Sequence, residues 1–428
     1  MTTTTKNQGG NIVGIIAMIF LFGMIAFVTN LAAPIGVIWK NNPDFSKLGL
    51  LGNMMNFAAY LVMGIPAGRL LSKIGYKKTA LCAIAVGLVG IFVQYLSGVT
   101  GNAGVYVYLA GAFIAGICVC MLNTVVNPML NTLGGGGNKG NQLIQIGGTF
   151  NSLMATLTPM MVGAMIGEAA KASIGDVNPL LFLAMAVFAF TFVVLLFIPI
   201  TEIHKTENAK FERSPWAFRH FVLGAIAIFV YVGVEVGIPY ILMYFLADNT
   251  AAGAGLPVET AAATAGFVAG TYWFMMLIGR FVGGAIGGKV SSRAMMSFTT
   301  FVATILVVAA IFTSGVSTSM PVFTGSAFSM AQVPLSALLL VLCGLCTSVL
   351  WGAIFNLATE GLGKYVPLAS GIFMTMVVGG GVLPLLQEQI AYAAGYMTSY
   401  WLIAAGTLYM LFYALVGSKN VNKDIKVD

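Results

Sequence analysis

Charged residues are scarce in this sequence: 13 acidic and 20 basic side chains make up 8% of its 428 residues. Soluble domains carry roughly a quarter charged residues, so an ordinary water-exposed globule is excluded. Only two histidines occur, His204 and His220, both in or beside one polar stretch. No convergent set of His, Cys, Asp and Ser groups forms a nucleophile–base pair, which argues against a membrane-embedded enzyme. The five cysteines (Cys82, Cys118, Cys120, Cys343 and Cys346) lie in apolar segments without a histidine. The spacings Cys118/Cys120 and Cys343/Cys346 therefore read as small buried hydrophobes, and no metal or cofactor site is expected. A ring of charge or a filter-like repeat, the mark of a channel, is also missing.

What remains is apolar: 59% of the chain is hydrophobic, in stretches of about 20 residues or more that suit helices crossing a ~30 Å hydrocarbon core. Barrel strands would be short and alternating. The reading is an all-α membrane protein with twelve transmembrane helices, at 11–39, 46–72, 79–98, 103–133, 141–167, 178–200, 217–247, 258–287, 294–315, 332–361, 366–394 and 396–417. The first apolar segment is too long for a secretory signal and reads as a retained span. The longest polar connection, TEIHKTENAKFERSPW at 201–216, falls near the middle. It divides the chain into a six-helix bundle at 1–200, a linker at 201–216, and a second bundle with a short tail at 217–428.

The net charge of +7 is distributed unevenly. With the N-terminus inside, Lys6, Arg69, Lys73, Lys77, Lys78, Lys139, Lys205, Lys210, Arg213, Arg219, Arg280, Lys289, Arg293, Lys364, Lys419, Lys423 and Lys426 fall on the cytoplasmic side. Only Lys40, Lys47 and Lys171 fall outside. This is the positive-inside bias, so the basicity sets topology rather than nucleic-acid binding, and both termini and the linker are expected in the cytoplasm.

The halves echo each other, as in an internally duplicated transporter. Asn30 stands four residues before Pro34 in span one, and Glu235 four before Pro239 in span seven; both read as a polar group one turn ahead of a helix break. Span two ends with AGRLLSK at Arg69 and Lys73, span eight with IGRFVGG at Arg280. Asn127 in NPMLNTLG corresponds to Asn356 in NLATEGLG, and Phe150 in GTF to Phe373 in GIF. Gly134–Gly137 reads as a cytoplasmic turn, since no P-loop Lys and Ser/Thr follow it.

An unpaired amide in hydrocarbon costs a few kcal/mol, so the mid-span amides must face a partner helix or a wet cavity. Counted at ~1.5 Å per residue, Asn123, Asn127 and Asn151 fall near mid-depth, as do Asn30, Glu235 and Asn356. With Gln145 they form a set suited to neighbouring hydroxyls, because an amide donates and accepts in one plane. Trp273 and Trp351, with Tyr231, Tyr240, Tyr272 and Phe150, could cover the apolar face of a sugar ring. Helix-to-helix contacts of about 0.6 kcal/mol are the alternative for any one amide. Glu235 is the carboxylate clearly inside a span; Glu168, Glu360 and Glu388 sit nearer helix ends. No Lys, Arg or His shares its depth by residue count, so it is expected to be protonated, hydrogen-bonded to substrate or holding a cation, the alternative being a neutral Glu hydrogen-bonded to a neighbouring helix.

Several stretches together resemble the L-fucose/proton symporter family of the major facilitator superfamily, especially its glucose/galactose branch: NTVVNPMLNTLG (123–134), GGTFNS (147–152), YVGVEVG (231–237) and IFNLATEGLG through SGIFMTMVVGGGVLP (354–384). GRLLSKIGYKK (68–78) resembles the superfamily's loop signature, with Ser72 where an Asp is usual. The resemblance implies two six-helix bundles, a central hexose site and alternating access by rocking of the halves. Proton-coupled members carry an Asp and a Glu at the positions of Asn30 and Asn123, and neither amide titrates. That leaves Glu235 as the candidate for H+ or Na+ coupling, with uncoupled facilitation equally open. The expectation is a monomeric hexose transporter (glucose, galactose, mannose or fucose type) of a bacterial inner membrane, the alternative another small neutral metabolite or drug. Substrate contacts are expected from Asn30, Asn123, Asn127, Gln145, Asn151, Glu235, Trp273, Trp351 and Asn356, and gating from Arg69, Lys73, Arg280, Pro34 and Pro239.

Overall fold

A backbone in hydrocarbon must satisfy its own N–H and C=O groups, and this chain does so with helices. The computed structural model describes residues 8–39, 45–46, 48–133, 137–166, 172–198, 214–287, 290–323, 327–362 and 365–422. The linker up to residue 213, the glycines at 134–136, and Lys6, Lys40, Lys47, Lys171, Lys205, Lys210, Arg213, Lys289, Lys364, Lys423 and Lys426 lie outside the described residues.

Among the described residues, twelve helical segments are long and apolar enough to cross a membrane. In chain order the helices are α1 (Gln8–Trp39), α2 (Leu51–Leu96), α3 (Gly104–Leu133), α4 (Gly137–Ile166), α5 (Asn178–Phe197), α6 (Arg219–Ala247), α7 (Val258–Ile286) and α8 (Ser292–Phe312). There follow α9 (Leu335–Thr347), α10 (Leu350–Thr359), α11 (Val366–Met376), α12 (Gly379–Ala394) and α13 (Tyr396–Phe412). The first six spans form one bundle and the last six another, in pseudo-symmetric arrangement. Large apolar side chains such as Phe190, Phe197, Phe298 and Phe312 are exposed on the outside, as a lipid-facing surface requires.

α2 carries spans two and three without a helical gap. They reverse at Gly75, whose φ of 82° is a conformation that L-residues with a side chain rarely adopt, so span three begins nearer Lys73 than 79. Between α8 and α9, in the segment left between the expected spans 294–315 and 332–361 and just into the latter, β1 (Ser317–Phe323) and β2 (Phe328–Pro334) pair antiparallel. One face of this hairpin buries Met320, Val322 and Val333, and alternation of that kind in a short segment is a weak signal.

The expected breaks at Pro34 and Pro239 do not occur: α1 and α6 run through both prolines. Neighbouring helices can accommodate the carbonyl freed by a proline inside a membrane. The interruptions lie instead at residues 348–349, between α9 and α10, and at 377–378, between α11 and α12. After the second, Gly379 lies so close to α6 that a Cβ would overlap the Phe229 carbonyl, while a Cβ on Gly381 would come within 2.8 Å of Phe57 Cβ and 3.0 Å of Met54 Cα. These glycines let α12 slot between α6 of its own bundle and α2 of the other.

We call the side holding the start of α1 and the end of the last span the terminal face, and the opposite side the far face. At the far face the bundles touch through α2 and α12 and through α4 and α7, where Gly163 and Gly266 approach closely. Towards the terminal face two adjoining cavities lie between them, flanked by further approaches of Gly64 to Thr375 and of Gly284 to Gln145.

Candidate functional site

The central cavity, of about 120 Å³, lies between the bundles. Its walls include Phe22 and Asn30 of α1, Phe57 and Tyr60 of α2, Asn123 and Asn127 of α3, and Gln145 and Asn151 of α4. The other bundle contributes Glu235 of α6, Trp273 and Arg280 of α7, Trp351 of α10, and Ser348 and Val377 at the two helix interruptions. A second cavity of about 240 Å³ shares Asn123, Asn127 and Trp351 and extends past Phe355, Asn356 and Ser370 to Gly68 and Tyr76. It forms a vestibule on the terminal side.

Glu235 has a cationic partner. Arg280 Nη2 stands 3.4 Å from Glu235 Oε1, both side chains little exposed, and the Tyr231 hydroxyl donates to the same oxygen at 2.8 Å. The other guanidinium nitrogen crosses to the first bundle: Arg280 Nη1 donates to the Gly148 carbonyl at 2.8 Å, Ser152 Oγ at 2.9 Å and Asn151 Oδ1 at 3.3 Å. This overturns two sequence expectations, that Glu235 has no cationic partner at its depth and that the Arg280 side chain lies at the helix end as the counterpart of Arg69. Arg280 sits six residues before the end of α7, about 9 Å along the helix axis, and its long side chain turns into the cavity. Arg69 and Lys73, by contrast, are exposed near the turn at Gly75.

The amides divide into those fully engaged and those with a group to spare. Asn151 Nδ2 donates to the Phe22 carbonyl at 2.9 Å and its oxygen receives Arg280, so it joins α4 to α1 and α7. Asn30 Nδ2 donates back to the Ala26 carbonyl at 2.9 Å, and its oxygen accepts the Tyr240 hydroxyl at 3.4 Å. Asn123 Nδ2 donates to the Tyr60 hydroxyl at 2.6 Å, and Asn127 Nδ2 to the Asn123 carbonyl at 3.0 Å. Asn127 Oδ1 and Trp273 Nε1, one acceptor and one donor, are buried with no partner among the described residues. Leaving such groups unpaired costs about 1–3 kcal/mol each, which a polar guest in the cavity would recover. Near them Trp351 packs edge-on to Tyr231, with ring centres 6.4 Å apart, and to Phe373 at 5.8 Å, so its orientation is fixed.

Of the nine residues expected to meet substrate, eight line the central cavity; Asn356 lies in the vestibule. Among the aromatics, Phe150 packs on Phe20 and Tyr272 bonds Thr347 Oγ1 at 2.9 Å, and neither lines the cavity. Tyr60, Ser348 and Val377 also line it without any residue-type signal that singles them out; helical periodicity does not distinguish a cavity wall from a packed core. Among the described residues no group of three or more His, Cys, Asp or Glu side chains could hold a metal ion.

The family model described as Major Facilitator Superfamily matches residues 15–383. A glucose/galactose transporter of Brucella abortus is 30% identical over 98% of this chain and 97% of its own length. A crystal structure of the Escherichia coli fucose:proton symporter superposes with a TM-score of 0.71 at 19% identity, covering 96% of this chain and 100% of that one. The same coverage and TM-score hold, at 18% identity, for a crystal structure of the transporter FucP in the outward conformation.

Proposed function

This chain belongs to the major facilitator superfamily, and on that premise we propose that it carries a neutral hexose across the membrane by alternating access. The observation that carries the reading is the central cavity. Both bundles contribute polar side chains to it, and Asn127, Trp273 and Trp351 line it together, the buried Asn127 Oδ1 and Trp273 Nε1 without a partner among the described residues. An acceptor, a donor and an apolar plate on opposing walls match the hydroxyls and the C–H face of a pyranose. The Brucella relative, named for glucose and galactose and alike over nearly its whole length, supports the same substrate class.

The bias of lysines and arginines towards the terminal side supports a topology with that face and both termini in the cytoplasm of a bacterial inner membrane, and the reading takes the protein to act as a monomer. The closed far face and the vestibule then correspond to a state open inward. Glu235 is the group through which an ion enters the cycle. A proton taken up by its carboxylate removes the charge that holds Arg280, and Arg280 is then free to give its donors to sugar hydroxyls. The amides at Asn30 and Asn123 favour a second reading, uncoupled facilitation, in which the Glu235–Arg280 pair is a fixed part of the binding site. Uptake and counterflow in proteoliposomes with a panel of hexoses, with and without H+ and Na+ gradients, test both. Hexose counterflow supports the substrate class and gradient-driven accumulation the coupling. Absence of counterflow with every hexose overturns the reading.

A further inference from the structure

The far face is held shut by contacts between bundles, and one carboxylate stands at their centre. Glu388, late in α12, is 1% exposed. Its Oε1 accepts the Gly49 N–H at 3.1 Å and its Oε2 the Leu50 N–H at 3.2 Å. Both amides immediately precede α2 of the opposite bundle. The N-terminal amides of a helix lack intrahelical acceptors and concentrate its partial positive charge, so a carboxylate there gains two charge-assisted bonds and a favourable dipole. Two further bonds cross beside it: the Tyr392 hydroxyl to the Ser46 carbonyl at 3.0 Å, and Asn53 Nδ2 to the Gly380 carbonyl at 2.8 Å. None of these groups lines the sugar cavity.

We propose that Glu388 is the positioning residue of the outer gate, a carboxylate latch that keeps the far mouth closed and biases the transporter towards the state open to the terminal face. Opening the far mouth requires α2 and α12 to part, which strips both amides from Glu388. The interaction therefore exists in one of the two alternating states and shifts the balance between them by its full strength. Loss of two charge-assisted bonds raises the open fraction on the order of tenfold or more. The inference rests on alternating access but not on the identity of the sugar.

The test uses the full-length protein in nanodiscs without sugar, Cys82 replaced by Ser, and spin labels at Thr100 and Ala252, which are exposed on far-face turns of the first and second bundles. In the parent, the inter-label distances form one short population. In Glu388→Ala a longer population rises about tenfold. In Glu388→Gln, which keeps the shape and one acceptor oxygen without the charge, the rise is intermediate. Tryptophan fluorescence melting verifies folding, and Glu388→Gln, being isosteric, carries the test if the alanine variant does not accumulate. Distances unchanged from the parent in the folded variants overturn the proposal, as does a lowered melting temperature with the populations unmoved, the mark of a merely structural contact. Because no sugar is present, failure of the hexose reading leaves this result untouched, and the reverse also holds.

Discussion

Glu235 and Arg280 lie 3.4 Å apart on two helices of one bundle, and the same guanidinium grips three oxygen atoms on α4 of the other. The pair is therefore an internal ion pair and a tie across the substrate cavity at once. Anything that changes the charge on Glu235 changes how firmly Arg280 is shared between the halves.

The first prediction concerns coupling. Glu235→Gln keeps the side-chain shape and removes the titrating group, so accumulation of hexose driven by a pH or Na+ gradient should collapse to the equilibrium level while counterflow persists. Proteoliposome uptake with an imposed gradient is the measurement. Concentrative uptake equal to that of the parent would remove Glu235 from the coupling role.

The second concerns the ion pair as a structural element. Arg280→Ala leaves a buried carboxylate without its cation, which costs about 3–5 kcal/mol in comparable cases. Thermal unfolding should show a marked loss for Arg280→Ala and a partial recovery in the double variant with Glu235→Gln, where no charge is stranded. Arg280→Lys should not restore transport, because one ammonium cannot reach the Glu235 carboxylate and the Gly148, Asn151 and Ser152 oxygens together.

The third concerns polar groups of the cavity wall. Trp273→Phe removes the indole N–H and keeps an aromatic plate, and Asn123→Ala removes the amide held by Tyr60. A lost hydrogen bond of about 1 kcal/mol corresponds to roughly fivefold weaker hexose binding in each case, read as a higher half-saturation in counterflow. Unaltered affinity in Asn123→Ala would assign that amide to helix packing alone.

The fourth concerns the glycines that let the bundles touch. Gly381→Ala puts a methyl within 3.0 Å of Met54 Cα on the opposite bundle, so α2 and α12 must part slightly. The same far-face distance measurement should show a larger open fraction, by a steric route independent of Glu388. A distribution identical to the parent would mean that the contact yields without opening.

The membrane character, the twelve spans and most of the cavity wall were legible in the sequence because a polar side chain inside an apolar run has few places to go. Asn30, Asn123, Asn127, Asn151 and Glu235 stood out on that ground, and they meet in one cavity. Arg280 was misplaced because depth was counted along the backbone, whereas a long side chain near a helix end can turn inward as well as snorkel outward. Glu388 was passed over because it lies near a helix end, and its partners are backbone amides about 340 residues away in the chain, a tertiary relation that residue type does not encode. The interruption at residues 348–349 follows no proline, and the prolines that were expected to interrupt helices do not.

Those two interruptions have a mechanical implication. Both belong to the second bundle, and each sets one residue, Ser348 or Val377, against the cavity, while α1, α3 and α4 pass it as unbroken rods despite Pro34, Pro128 and Pro159. The two bundles are thus unequal partners: one half behaves as an anvil, and the other owns the elbows. When cargo arrives, it is the jointed half that can flex around it.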